Sequence, residues 1–431
     1  MFCGSCTCLT GPFPVIAFPH VLSGNELERK CLDSLYECDI ARSGCERKSD
    51  QSWVASTRKL GKSPPLDGLR GIAWSLVFLG HVQPLSFLDP ADTGMFIFFA
   101  LSGFLITQLA VSEFAVSGRI NFAAFLRRRL VRLLPALVVF LSAWFLVAAF
   151  FMRSPWLTTV PQGGPSRTMH PLGAIEGIAA SIGYVMNWIE IFHLFSGYVP
   201  IGHIWSLAVE MQFYLLWVSA LMVLLRFGRR AALWAAACGS ILASVEVILL
   251  VNAGAHGLRI YMGTDTRMGA LLGGAAAALI WSNADLNLKN SKILSLLAFT
   301  GVATICWSAF AFGEPAHSVP AQLVWPLTAA AVSAVVFYLV DRPWTLLGRL
   351  SSGRTIRYIG RRSYALYLWH YVWLTWFRDL GLLGVVAGFG MSLVSAELSW
   401  RFVEQPAARW SAPNVSKEGK CERSAQFEVM G

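Results

Sequence analysis

Residues 64–81 read Pro64-Pro65-Leu66-Asp67-Gly68-Leu69-Arg70-Gly71-Ile72-Ala73-Trp74-Ser75-Leu76-Val77-Phe78-Leu79-Gly80-His81. The prolines close a polar stretch, and Asp67 offers a side-chain oxygen as a helix N-cap. An apolar run then continues to residue 88, close to the roughly 20 residues that an α-helix needs to cross a bilayer. Hydrocarbon supplies no partners for backbone N–H and C=O groups, so a spanning segment of this kind must be helical. Arg70 and His81 are eleven residues apart. On a helix that is about 1,100°, or three turns plus roughly 20°, which puts both on one face about 16 Å apart. A cation and an imidazole on one stripe of a membrane helix are expected to face the protein interior or a wet cavity. Taken singly, each has a plainer reading: Arg70 snorkelling at a membrane boundary, and His81 satisfied at an interface.

Outward from this segment the pattern repeats. Over 431 residues the chain is 55% hydrophobic and 14% charged, with a mean hydropathy of +0.54, where soluble proteins carry about 25% charged residues. Further apolar runs fall near 93–112, 133–152, 172–189, 204–225, 231–252, 267–283, 293–312, 320–340, 364–378 and 381–400. The net charge of +10 resides largely in short connections, including Arg119 to Arg132, Arg226/Arg229/Arg230, Lys289/Lys292 and residues 342–362. That is the positive-inside distribution, and no nucleic-acid motif accompanies it. Alternation of sides works with both ends cytosolic, provided 172–189, with Glu176 and three glycines, does not span. The expected fold is therefore all-α: a polytopic membrane protein of about ten transmembrane helices plus one interfacial or re-entrant helix.

The domain reading is a Cys-containing extension without fixed structure over 1–63, a transmembrane domain over 64–410 and a polar cytosolic tail over 411–431. Cys3-x-x-Cys6-x-Cys8 lacks the second CxxC or nearby histidine that a zinc site needs, so no metal is expected.

Several blocks, taken in order, carry a specific resemblance. Arg70, ten intervening residues and His81 come first. Then follow Phe98-Phe99-Ala100-Leu101-Ser102-Gly103-Phe104, Arg129-x-x-Arg132 before Pro135, and Trp205-Ser206-Leu207-x-x-Glu210 with Phe213-Tyr214. Asp265-x-Arg267, Ser363-Tyr364 through Leu368-x-His370, and Phe402-Val403-Glu404-x-Pro406 complete the series. Over residues 65–408 the chain resembles acyltransferase family 3, membrane proteins that move acyl groups onto carbohydrate hydroxyls. It departs from the family pattern at Gly94-Met95-Phe96, where the nearest acids are Asp89 and Asp92, and at Glu210-Met211, where a Glu-Glu pair is common. Both departures leave open which carboxylate assists His81.

The resemblance implies a bacterial inner-membrane enzyme with no bound cofactor. Acyl-coenzyme A, acetyl first among the candidates, would be the donor, and a surface polysaccharide, peptidoglycan sugar or glycolipid the acceptor. His81 becomes the candidate base, since its ordinary pKa lies near neutral pH, or else the acyl carrier itself. Glu210, a carboxylate in an apolar run, is a catalytic candidate, expected to raise the basicity of a histidine or orient the acceptor hydroxyl, the alternative being an interhelical hydrogen-bond clamp. It shares a helix face with His203, Ser206 and Tyr214. Arg70 is expected to bind the donor or stabilise charge, and Arg129 and Arg132 to hold the donor phosphates, because guanidinium forks match phosphate oxygens; the alternative for the last two is topological anchoring. Ser206, Asp265, Arg267, Tyr367 and His370 are expected to support or contact the acceptor. Glu397, Arg401 and Glu404 are expected to lock the last helix, and Glu246 finds no role. No G-x-S-x-G elbow occurs. The rival reading is a transporter or flippase without acyl chemistry, against which stands the lack of two matching halves.

Overall fold

The computed structural model describes residues 57–82, 90–151, 171–196, 201–255, 257–283, 292–310 and 319–411. The cysteines of the N-terminal stretch, Asp89, Lys289 and the tail beyond residue 411 lie outside them.

The described residues are helical almost throughout. In chain order the long elements are α1 (Pro64–Gly80), α2 (Pro90–Ser117) and α3 (Phe122–Phe151), then the short α4 (Pro171–Ile182) and α5 (Met186–Ile191). Next come α6 (Trp205–Leu224), α7 (Arg229–Asn252), the short α8 (Gly257–Met262), α9 (Thr264–Trp281), α10 (Lys292–Phe310) and α11 (Val319–Asp341). Two short helices, α12 (Leu346–Ser351) and α13 (Arg354–Arg361), lead into α14 (Ser363–Phe377) and α15 (Gly381–Ser399). A π-turn at Trp400–Glu404 joins α15 to α16 (Gln405–Ser411).

Seven helices are long and apolar enough to cross a membrane, the last of them a 47-residue stretch, Ser363–Arg409, that contains both α14 and α15. The chain is a polytopic membrane protein. Helices α1 and α9, shorter or carrying charges, complete the set read from the sequence. The segment expected at an interface is α4 and α5, broken at Gly183-Tyr184, where Tyr184 takes a left-handed φ of +53°. Its neighbour Val185 donates back to the Ala180 carbonyl at 3.0 Å, the arrangement that ends many helices.

Two boundaries shift in ways that matter to the site. Helix α3 begins at Phe122, so Arg127 to Arg132 lie within its first turns and not in a preceding loop. Helix α1 closes at Gly80 with His81 as its C-cap, so the imidazole sits at a helix end, where backbone carbonyls are open to it.

Helix α2 buries residues on all sides, as an all-round apolar helix should, and is the centre of the bundle. Helix α9 runs against it at very close range. A Cβ on Gly103 would lie 1.8 Å from the Leu271 carbonyl oxygen, and one on Gly274 would lie 2.0 Å from that of Ala100. Close backbone approach through small residues is the usual way membrane helices gain packing. On its other side α9 meets α7, which buries only Ala232, Ala236, Ala243 and Val247.

Residues 57–63, the end of the stretch read as an extension, include a strap over one end of the bundle. The Arg58 N–H donates to the Ser282 carbonyl at 2.9 Å and its guanidinium meets Asp341 at 3.2 Å. Gln108 donates to the Arg58 carbonyl, and Arg229 to the Thr57 hydroxyl. Four helices are thereby tied to one strand of chain.

Candidate active site

At the end of the bundle where α1 begins there is a cavity of about 720 Å³. Helix α1 contributes Asp67 and Arg70, α3 contributes Arg129 and Arg132, and α6 contributes Ser206, Glu210 and Tyr214. The opposite wall brings Arg361 from α13, Tyr364 and Tyr367 from α14, and Trp400, Glu404 and Arg409 from the chain around the π-turn. Three arginines expected at one site, from two helices, thus stand around one space.

The floor is organised by hydrogen bonds. The Tyr214 hydroxyl donates to the Glu210 carboxylate at 2.7 Å, and Ser102 donates in turn to the Tyr214 oxygen at 2.5 Å. The buried Arg129 guanidinium lies over the Tyr214 ring at 5.4 Å. Glu210 is within electrostatic range of both Arg70 and Arg129. A carboxylate beside two cations in a low-dielectric site holds them in place more strongly than it would in water.

A second cluster lies behind the cavity. His81, His203 and His370 come together from three helix ends or faces, with ring centroids 5.2 Å apart for His81–His370 and 5.7 Å for His203–His370. Each ring has one nitrogen against a main-chain carbonyl: His81 Nδ1 at Val77 (2.7 Å), His370 Nδ1 at Tyr367 (2.8 Å) and His203 Nε2 at Leu368 (3.2 Å). A carbonyl only accepts, so these nitrogens carry the protons, and the opposite nitrogen of each neutral ring keeps a lone pair. For His203 Nδ1 and His370 Nε2 that lone pair is buried without a partner. Tyr371 lies against all three rings, 5.2 Å from His81, 5.0 Å from His203 and 6.5 Å from His370. Among the described residues no group of three His, Cys, Asp or Glu side chains is placed to hold a metal ion.

Tyr367 and Ser206 stand between the two clusters. Both line the cavity. The Tyr367 hydroxyl donates to the His203 carbonyl, and Ser206 donates to the Tyr367 oxygen at 2.6 Å. The Tyr367 ring is 5.6 Å from His370 and 5.7 Å from His203. Helix α1 runs past this wall and presents Arg70 to the cavity and His81 to the imidazoles.

Not every residue read from the sequence joins the site. Glu210 sits with the arginines at the cavity floor, and what orients the His81 ring is the Val77 carbonyl. Arg267 is wholly enclosed: it pairs with Asp92 at 2.6 Å, donates to the Tyr261 carbonyl and packs against four aromatic rings. Asp265 turns the other way and accepts from the Arg259 guanidinium at 2.8 and 2.6 Å and from the Thr266 backbone N–H at 2.9 Å. Glu246 joins the same arginine at 3.3 Å, which accounts for a membrane carboxylate that the sequence left unexplained. Glu397 bridges Arg362 and Arg401, whereas Glu404 lines the cavity. Arg361, Arg409, Trp400 and Tyr371 escaped the sequence reading. Arg361 was hidden in a basic stretch that topology alone explains, and Trp400 and Arg409 enter the cavity only through the turn of the chain at the π-turn.

A family model described as an acyltransferase domain matches residues 65–400, and the chain belongs to acyltransferase family 3. It is 30% identical over 367 residues to the peptidoglycan O-acetyltransferase OatA of Listeria monocytogenes, covering 80% of this chain and 55% of that protein. To the putative peptidoglycan O-acetyltransferase YrhL of Bacillus subtilis it is 32% identical over 365 residues, 80% of this chain and 54% of the other. A putative O-acetyltransferase of Staphylococcus aureus is 29% identical over 81% of this chain and 58% of its own length. The chain thus spans little more than half the length of the curated relatives it matches. No solved structure matches it.

Proposed function

We propose that the chain is a membrane O-acyltransferase that moves an acetyl group from acetyl-coenzyme A, bound from the cytosolic side, to a carbohydrate hydroxyl. The observation that carries this reading is the division of labour along α1: Arg70 in an arginine-lined cavity and, about 16 Å further on, His81 among imidazoles. A coenzyme A thioester is anionic at one end and reactive at the other, joined by a long thin arm. Arginines at the phosphates and an imidazole at the thioester fit that shape.

The chemistry then follows from the ring orientation. With Nδ1–H held by Val77, the lone pair of His81 Nε2 takes the proton of the acceptor hydroxyl as its oxygen attacks the thioester carbonyl. The C–S bond breaks, and the leaving thiolate takes up a proton, so the exchange is balanced. Arg70 is too far from His81 to stabilise the oxyanion and belongs with Arg129 and Arg132 at the donor phosphates. Glu210 is a positioning residue for those cations. Tyr367 and Ser206, on the wall between donor and base, border the path of the acyl group. His370 lies beside His81, where it supports the base or the acceptor. Arg267 acts as an internal clamp, and Asp265, held by Arg259, is left as the acceptor candidate of that pair.

The names of the relatives make a peptidoglycan sugar the leading acceptor. Multi-pass placement in a bacterial cytoplasmic membrane, with both ends cytosolic, agrees with the basic character of the cavity end. The test is purified full-length protein with acetyl-coenzyme A and glycan strands, scored by thiol release and by O-acetyl mass on the glycan. Thioester consumed no faster than in buffer, with no acetylated glycan, would sink the reading.

A further inference from the structure

The arginines around the cavity form two tiers. Arg129 is buried and Arg70 half-buried, both beside Tyr214 and Glu210. Arg132, Arg361 and Arg409 are exposed and come from three different helices. The mouth formed by this outer tier is not a bare basic patch. Trp400 and Gln405 line the same wall. Trp400 opens the π-turn, a widening that recurs at functional sites. Counted from Trp400, the lining residues Glu404, Gln405, Ala408 and Arg409 follow at four, five, eight and nine positions, one continuous face. Asp67 holds the Arg361 guanidinium from α1 at 3.4 Å. Positive-inside anchoring explains exposed arginines in general. It does not explain why three helices bring them to one cavity mouth beside an indole and an amide.

Resting on the reading of the donor as a coenzyme A thioester, we propose that Arg361, Arg409 and Trp400 form the site for its adenine nucleotide end, the arginines taking the ribose 3′-phosphate. A coenzyme A thioester has two separate anionic groups, a diphosphate and a 3′-phosphate, and the two tiers supply one set of guanidinium forks for each. Indole offers a face on which a base stacks. The carboxylate of Glu404 on the same wall suits the one free ribose hydroxyl, as an acidic side chain does in dinucleotide sites. The protein therefore selects a free, nucleotide-bearing thioester over one carried on a protein's phosphopantetheine, which has neither the adenosine nor the 3′-phosphate.

Equilibrium binding to the full-length protein in detergent tests this, with acetyl-coenzyme A, its 3′-dephospho form and acetyl-pantetheine as ligands. The expected result is about tenfold tighter binding of acetyl-coenzyme A than of the dephospho form, the scale of one charge-assisted contact, and weaker binding still of acetyl-pantetheine. Arg409→Ala and Arg361→Ala should each bring the first ratio toward one while leaving dephospho affinity nearly unchanged. Both side chains are exposed, so neither change disturbs packing, and Trp400→Phe should keep most of the affinity that Trp400→Ala loses. Equal affinity of the wild-type protein for the two coenzyme forms overturns the proposal and leaves the proposed function standing. So does equal weakening of both ligands in the arginine variants. Competition by inorganic phosphate or anionic lipid as effective as that by adenosine 3′,5′-bisphosphate would reassign the mouth to phosphate in general, and overturn it too. Failure of all three thioesters to bind would instead remove the donor reading itself.

Discussion

Arg267 and Asp92 meet at 2.6 Å in a compartment closed to solvent, with the guanidinium 4.2 Å from the Trp325 ring centre and 4.7 Å from that of Tyr261. They join the first turns of α2 and α9, ahead of the glycine crossing of the same two helices. A buried pair is weak evidence for stability while intact, but removing one partner strands the other as an uncompensated charge. Asp92→Ala or Arg267→Ala should each destabilise the protein by about 3–5 kcal/mol, read as loss of the monodisperse peak in detergent and a lower unfolding temperature. The paired change Asp92→Asn with Arg267→Met should lose much less than the two single losses combined. If Arg267→Ala were as stable as wild type and failed only in acceptor use, the clamp assignment would be wrong.

His81 is oriented by a backbone carbonyl, so its role does not depend on a nearby acid. His81→Gln keeps size and hydrogen bonding but cannot take a proton at neutral pH. Transfer should fall by about 10²–10⁴-fold, with acetyl-coenzyme A affinity and expression close to wild type. Near-normal glycan acetylation by this variant would make His81 structural.

Tyr214 links Ser102, Glu210 and Arg129 at the cavity floor. Replacing it with Phe keeps the ring beneath Arg129 but removes the hydroxyl that donates to the carboxylate. A lost hydrogen bond to a charged group costs about 1.5–3 kcal/mol, and here the cost should appear as weaker donor binding. The expected signature is a KM for acetyl-coenzyme A raised roughly tenfold or more with kcat little changed. A kcat loss at constant KM would instead place Glu210 in the chemical step.

The orientation of the bundle can be read from two fusions. Helix α7 runs for 24 residues from Arg229 to Asn252, about 36 Å, enough to cross the hydrocarbon core. A reporter inserted after Arg230 should read cytosolic and one after Asn252 external. The reverse pair of readings would put the arginine cavity on the side away from acetyl-coenzyme A.

Much of this architecture is legible in one dimension because lipid leaves the backbone so few options. An apolar run of about 20 residues must be a helix, and once it is, spacing decides which side chains share a face. That is why the common stripe of Arg70 and His81, or of Ser206, Glu210 and Tyr214, is readable from sequence. The same rule carries a warning about Asp265-x-Arg267. Two residues apart on a helix is about 200°, so the two side chains cannot serve one partner.

Which of them turns inward is decided from outside the helix, by Asp92 on α2 and by Arg259 on α8. The division between the arginine cavity and the imidazole cluster is of the same kind. Ser363, Tyr367 and His370 lie at i, i+4 and i+7 on α14 and read as one polar stripe. In the fold Ser363 and Tyr367 line the cavity, while His370 lies behind the wall with His81 and His203. Ser206 and Tyr367 are 161 residues apart, and the hydrogen bond between them has no local signature. Helical periodicity specifies what stands on a face. Which neighbour that face meets depends on how close backbones can approach at positions such as Gly103 and Gly274, and on where buried charges find their partners.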